Sequence, residues 1–370
     1  MRAALALPIV AFPARAGAAE VGEIGFSVLG YREAHHLIKI MEPIVWATVP
    51  FADTWEIRAS AAIDIVTGAS PSIVTNAGGA TVQAITGASI SDRRTTGDVK
   101  LSKRIGEYSV SLSRTFSREK DYLSHAWGAE ARADLGNRNT TLIAGFGRSN
   151  DRVRSADDPL FDERRDVREY LLGLTQVLSP RAILQTTLTW SRGRGWYSDP
   201  YKTTVTFYPD ADVPALSTDL RPHERDVLAW LARYRLHFPQ HRATLQADCR
   251  YFRDDWGIRA HTLELAWSQD IGERWSLRPA LRYYTQSAAD FYATTVPRPA
   301  PVLLSSDQRL AAFGGLSPSL RATWRANAFT VEGTAGYYRN TRSLRFGGGA
   351  SPEFQTLTSA YVLFSIVREF

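Results

Sequence analysis

The stretch TWEIRASAAIDIV, residues 54–66, sets Trp55, Ile57, Ala59, Ala61, Ile63 and Ile65 on one side of an extended chain and Glu56, Arg58, Ser60 and Asp64 on the other. Successive strand side chains point to opposite faces, so this period of two makes one face apolar and the other charged. The same alternation returns at Ala182, Leu184, Thr186, Leu188 and Trp190, set against Gln185, Thr187, Thr189 and Ser191. It returns again at Phe329, Val331, Gly333, Ala335 and Tyr337, set against Thr330, Glu332 and Thr334. Two segments read either way: DVLAWLARYRLHF (226–238) also has helical spacing, and AWGAEARADL (126–135) is rich in helix formers.

The connections resolve both. Strands are predicted at 24–33, 37–48, 54–66, 88–104, 107–119, 122–136, 139–150, 166–178, 181–193, 225–238, 242–254, 258–271, 274–287, 305–324, 327–341 and 355–370. Short reversals (PFAD, RIGE, LGNRN, LSPR, PQH, IGER and WRAN) occupy the even connections. The long polar ones, near 67–87, 151–165, 194–224, 288–304 and 342–354, all fall at odd positions. An outer-membrane barrel sorts its loops in this way, with short turns on the periplasmic side and long loops outside. The fold class is therefore all-β: a transmembrane antiparallel β-barrel of about sixteen strands. In lipid only a closed barrel lets strands satisfy every backbone group without leaving an edge. Trp55, Trp127, Trp190, Trp230, Trp267 and Trp275 fall mostly near strand ends, where an amphipathic ring suits a membrane interface.

Composition agrees with an ordered chain, at 44% hydrophobic and 22% charged residues. No run of about 18 apolar residues occurs after the start, which excludes a spanning helix. MRAALALPIVAFPARAGAA, with Arg2, a short apolar stretch and small residues at 16–19, reads as a signal peptide over 1–18, leaving 19–370 as the barrel. Removing Arg2 and Arg15 lowers the 44 basic residues to 42 against 38 acidic ones, and the net charge from +6 to +4. That excess is too scattered to indicate nucleic acid. Cys249 is the sole cysteine, so no intramolecular disulfide forms, and its place in an alternating strand reads as small apolar filler.

The chain closes on YVLFSIVREF (361–370), with Val362, Phe364, Ile366 and Phe370 on one face. This resembles the terminal signal by which bacterial outer-membrane barrels engage the barrel-assembly machinery, although Arg368 stands where an apolar residue is usual. Deleting Phe370 is expected to impair assembly.

A wider resemblance rests on DIVTGASP (64–71), SREKDYLS (117–124), NTTL (139–142), YSDPYK (198–203), YFRDDWGIRAHT (251–262) and RPALRYYTQSAADFY (278–292). These stretches resemble the motifs of a bacterial family of outer-membrane β-barrels of unknown function. The resemblance implies a barrel in the outer membrane of a Gram-negative bacterium, in an envelope redox or metal-handling context. It carries no activity and no catalytic residues.

The inward face holds the candidate site residues: Glu56, Arg58, Asp64, Glu130, Arg132, Asp134, Arg233, Arg235, Arg250 and Arg282. They either line a permeation path, where their summed field selects ions, or pair across strands and fill the interior. Arg233 and Arg235, on one face of one strand, suggest anion preference. TGAS occurs at 67–70 and 86–89 around the first long loop, which either folds into the pore or lies on the surface. Asp254 with Asp255, and Glu119 with Asp121, offer hard oxygen ligands for a divalent cation or a bridge to lipopolysaccharide, or are solvated turns. His125, His223 and His261, beside Ser124, Glu224 or Thr262, are the parts available for a rim hydrolase, but they form no distinctive spacing. No catalytic residue, cofactor or metal is assigned. The expected partners are outer-membrane lipid, lipopolysaccharide and the assembly machinery. The leading expectation is a channel or transport component for a small solute; the alternative is an envelope enzyme, or a scaffold for exported redox or metal-handling partners in the periplasm.

Overall fold

The computed structural model describes residues 21–34, 38–68, 73–77, 80–84, 90–206, 215–295 and 301–370. The signal-peptide expectation, the second TGAS segment and the latter half of the first lie outside the described residues. In chain order the strands are β1 (Glu23–Glu33), β2 (Ile38–Phe51), β3 (Trp55–Gly68), β4 (Ile73–Ala77), β5 (Ala80–Ala84), β6 (Ile90–Ile105), β7 (Tyr108–Arg118), β8 (Tyr122–Leu135), β9 (Thr140–Arg154) and β10 (Asp162–Ser179). They continue as β11 (Ala182–Gly195), β12 (Thr203–Thr206), β13 (Ala215–Thr218), β14 (Glu224–Phe238), β15 (Ala243–Asp254), β16 (Arg259–Ile271), β17 (Trp275–Gln286), β18 (Phe313–Ala326), β19 (Phe329–Thr341) and β20 (Leu357–Glu369). β4–β5 and β12–β13 are separate hairpins within long loops; the other sixteen strands form one closed antiparallel barrel. Closure runs from Glu23↔Glu369 to Glu33↔Ser359 between β1 and β20.

Both ambiguous segments are strands, β8 and β14, because each satisfies its backbone against two neighbours. At the short-turn end, positive φ at Ala52, Asp53, Gly106, Asn137, Gly272 and Asn327 gives the reversals a twist that matches the strands. The strand expected over 305–324 begins only at Phe313. The residues before it leave the wall to form a roof, with a 3-10 turn at Gln308–Leu310 capped by the Asp307 side chain.

The outward face is apolar and open to its surroundings: Leu112 is 65% exposed, Leu172 62% and Val362 60%. Side chains like these form a contiguous belt only where the solvent is itself apolar. Aromatic rings bound the belt at both ends. Toward the long loops, Trp127, Phe146, Tyr170 and Trp190 touch in series across β8–β11 with centroids 5.1–5.2 Å apart. Toward the short turns lie Phe51 against Trp55, and Phe238 against Trp267. The Trp230 indole donates to Thr186 at 2.7 Å, so its N–H is not left unpaired on the apolar outward face. Arg368 stacks over Phe329 at the short-turn end, and Cys249 faces outward, exposed on the wall between Ala232 and Leu263.

Candidate functional site

The register turns every charged residue assigned to the lumen inward. Asp64 pairs with Arg94 at 2.8 Å, Glu130 with Lys100 at 3.1 Å, and Arg132 with Asp134 at 2.7 Å. Arg233 lies 3.4 Å from Asp248. Glu56 and Arg58 face inward near the short turns, each engaged by a neighbour. Arg235, Arg250 and Arg282 make no ion pair among the described residues; Glu264, opposite Arg282, is taken by Arg278 at 3.0 Å.

These groups are segregated. On the wall from β2 to β10, the inward Glu42, Glu56, Asp64, Asp92, Asp98, Glu130, Asp134, Asp151, Glu163 and Glu169 outnumber Arg58, Arg94, Lys100, Arg104, Arg132 and Arg165. On the facing wall, β14–β18, the inward Arg225, Arg233, Arg235, Arg250, Arg278, Arg282, Arg321 and Arg325 outnumber Asp248, Asp254, Glu264 and Asp270. Water reaches both walls: the Lys100–Glu130 side chains are 34% and 40% exposed, and the Arg233–Asp248 side chains 29% and 28%. A sequence read strand by strand shows each charge; only barrel closure shows which charges face one another.

Part of the acidic wall is stripped of side chains. Gly128, Gly145 and Gly147 floor a recess of about 170 Å³ lined by Ser111, Ser113, Lys100, Glu130 and Glu169. On the seam between β20 and β2 the interior is filled instead: Trp46, 5% exposed, lies over Gly25, where a Cβ would sit 2.1 Å from the indole.

The long-loop end carries a roof that sequence reasoning missed. Asp307, its side chain 3% exposed, receives Arg221 at 3.0 Å and Lys202 at 3.1 Å, with Arg309 Nε at 2.9 Å. Arg221 also donates to Asp219 at 2.7 Å, and its backbone N–H to Ser198 Oγ at 2.9 Å. Burial alone would raise the Asp307 carboxyl, but Arg309, Lys202 and Arg221 outweigh it and hold the group well below the usual carboxylate range. Beside this knot, Trp256, Ile258, Ala289, Phe291 and Leu310 form an apolar cluster, and Ala311, Phe313 and Phe354 a second. Charged loop residues read as solvated from sequence alone. The available signal was the motif resemblance, since YSDPYK, DDWG and SAADFY all fall in this roof.

Asp254 is therefore neither a cation ligand nor a solvated turn. It is buried, binds Arg225 at 2.6 Å and accepts from the Ile258 N–H at 2.8 Å, while Arg225 lies over the Trp256 ring at 4.2 Å. Asp92 joins Glu119 and Asp121, with carboxylate oxygens within 4.8 Å of one another. Arg94, 3.8 Å from Glu119, already places a positive charge there. The hydrolase parts do not assemble. Ser124 points inward to Asp151 at 2.7 Å while His125 points outward onto Phe116, and His261 likewise turns outward onto Tyr251. Neighbours on a strand face opposite ways, so sequence adjacency made no dyad. His223 packs on Trp196, and Glu224 pairs with Arg194.

Residues 1–161 and 156–358 match the family described as protein of unknown function (DUF3570). The chain belongs to the DUF3570 family. No curated protein matches it. Among solved structures, the DUF3570 barrel resembles a bacterial polysaccharide outer membrane secretin, with a TM-score of 0.52 and 9% identity over 95% of this chain and 98% of that one. CdiB from Acinetobacter baumannii gives 0.54 at 9% identity, over 94% of this chain and 60% of CdiB. The siderophore receptor PirA from Pseudomonas aeruginosa, at 0.46 and 10% identity over 87% of this chain and 56% of that one, falls below the level at which a shared fold can be argued. The likeness is one of fold, that of outer-membrane β-barrels.

Proposed function

We propose that this DUF3570 barrel sits in the outer membrane with its long loops outside and conducts a small polar solute. The observation that carries this reading is the lumen, where wetted charges are sorted into an acidic wall and a facing arginine wall. Most inward charges are paired locally, as any filled interior requires, yet a net excess of acid remains on one wall and of arginine on the other, with Arg235, Arg250 and Arg282 outside any ion pair among the described residues. That excess sets up a transverse field, which orients a dipolar solute and biases which ions enter. The glycine-floored recess, with Lys100 beside Glu130 and Glu169, offers both signs of contact midway along the wall.

The test is reconstitution of the folded barrel in planar bilayers. Ohmic conductance is expected. The double variant Arg233→Gln, Arg235→Gln is expected to move the reversal potential in a salt gradient toward cation preference, and Glu130→Gln to move it the other way. A folded barrel without conductance or solute flux would remove the channel reading; conductance with unmoved reversal potentials would remove the role of the walls.

A further inference from the structure

On the outward face of β9, β10 and β11, the ring ladder of Phe146, Tyr170 and Trp190 is followed, one outward position nearer the long loops, by Arg148, Arg168 and Arg192. Arg168 stands directly opposite both of the others in the two ladders. Like charges directly opposed across strands destabilise a sheet. Two carboxylates offset part of this: Asp166 lies 2.6 Å from Arg148 and 3.4 Å from Arg168, and Asp226 lies 3.6 Å from Arg192. The three side chains nonetheless stay 40%, 54% and 43% exposed, and above them Arg152, Arg154 and Arg164 outnumber Asp162. At the other end of the same strands, the outward positions are Thr140, Gln176 and Ala182; the arginines there, Arg138 and Arg181, stand singly in the turns beyond and form no row on the wall.

We propose that this row binds the phosphates of a phosphorylated glycolipid in the outer leaflet, with the rings beneath lying against its sugar and acyl chains. The row lies at the boundary between apolar belt and polar loops, where headgroup phosphates sit, and arginine forks match phosphate oxygens bidentately. The one-sided placement fits a bilayer whose two leaflets differ in charge. The inference rests on the membrane placement proposed above, not on conduction.

The test is native mass spectrometry of the full folded chain in detergent, offered diphosphoryl lipid A, chemically dephosphorylated lipid A or phosphatidylethanolamine. The wild-type barrel is expected to retain diphosphoryl lipid A in preference to the other two. The triple variant Arg148→Gln, Arg168→Gln, Arg192→Gln is expected to retain it on the order of tenfold or more weakly. The lumen variant Arg233→Gln, Arg235→Gln is expected to retain it normally. Equal retention of the phosphorylated and dephosphorylated lipids by the wild type, or equal loss in the lumen variant, would overturn the site. Heat-modifiable mobility reports whether each variant is folded, and the wild-type lipid comparison decides the matter should the triple variant not fold. Failure to insert into vesicles at all would instead remove the membrane placement, and absent conductance with intact lipid selectivity would remove only the channel.

Discussion

With Asp307 changed to asparagine, the roof over the long-loop end is expected to undock while the barrel stays closed. The substitution keeps the shape and removes one charge from a knot in which Lys202, Arg221 and Arg309 converge. Deleting one member of a buried ionic group strands the others, at a cost of roughly 3–5 kcal/mol. Arg309 retains 41% of its side-chain exposure, so the lower figure applies. Beyond the knot the loops are held by two small apolar clusters, the isolated bridges Leu220–Leu304 and Tyr292–Ser305, and single backbone bonds such as Asp290 N–H to the Trp256 carbonyl. Limited proteolysis is the direct measurement, with new cleavage expected in 196–206, 215–223, 287–295 and 301–312 and unchanged heat-modifiable mobility of the barrel. Wild-type resistance in the variant would show that the apolar clusters alone suffice. The pH dependence has a definite sign. A carboxyl held below its unfolded value contributes stability in full above the unfolded value and loses it progressively as pH falls from there through the folded value. The wild-type roof should therefore resist protease throughout the neutral range and down to about pH 4, opening below it.

Most of the wall was legible in sequence, and the reason is physical. A strand between lipid and water has one apolar and one polar face, so period two in TWEIRASAAIDIV carries both the element and its orientation. Loop lengths then carried the topology, because short turns and long loops sort onto opposite ends. What the sequence hid depends on contacts between distant segments. Lys202 and Asp307 meet only after two long loops fold over one mouth, and nothing local distinguishes Asp307 from a solvated acid. The strand expected over 305–324 failed for the same reason, since its first residues serve the roof and not the wall: Asp307 gathers the knot's cations, and Leu310 and Ala311 pack into the two apolar clusters. His125 with Ser124 failed in the opposite sense: sequence proximity became spatial separation once alternate side chains took opposite faces.

Leu171 and Leu172 give the sharpest test of that alternation, being adjacent, chemically identical and on opposite sides of β10. Leu172 faces out between Ala144 and Leu188, 62% exposed near the middle of the belt. Leu171 faces in between Gly145 and Thr189 and lines the recess that also holds Glu169. Leu172→Arg carries a charge into hydrocarbon and is expected to cost about 2–4 kcal/mol. Leu171→Arg carries the same charge into a wetted lumen within reach of a carboxylate. Its expected cost stays within about 1 kcal/mol, the scale of an exposed ion pair, and it should reduce conductance by filling the recess. Reversible urea unfolding in lipid vesicles, monitored by tryptophan emission, measures both. Equal penalties for the pair would mean that the two faces of β10 meet similar surroundings, which no lipid-embedded barrel with an aqueous axis permits. A large penalty at 172 alone would place lipid against one face and water against the other, the arrangement from which both the lumen field and the outer arginine row follow.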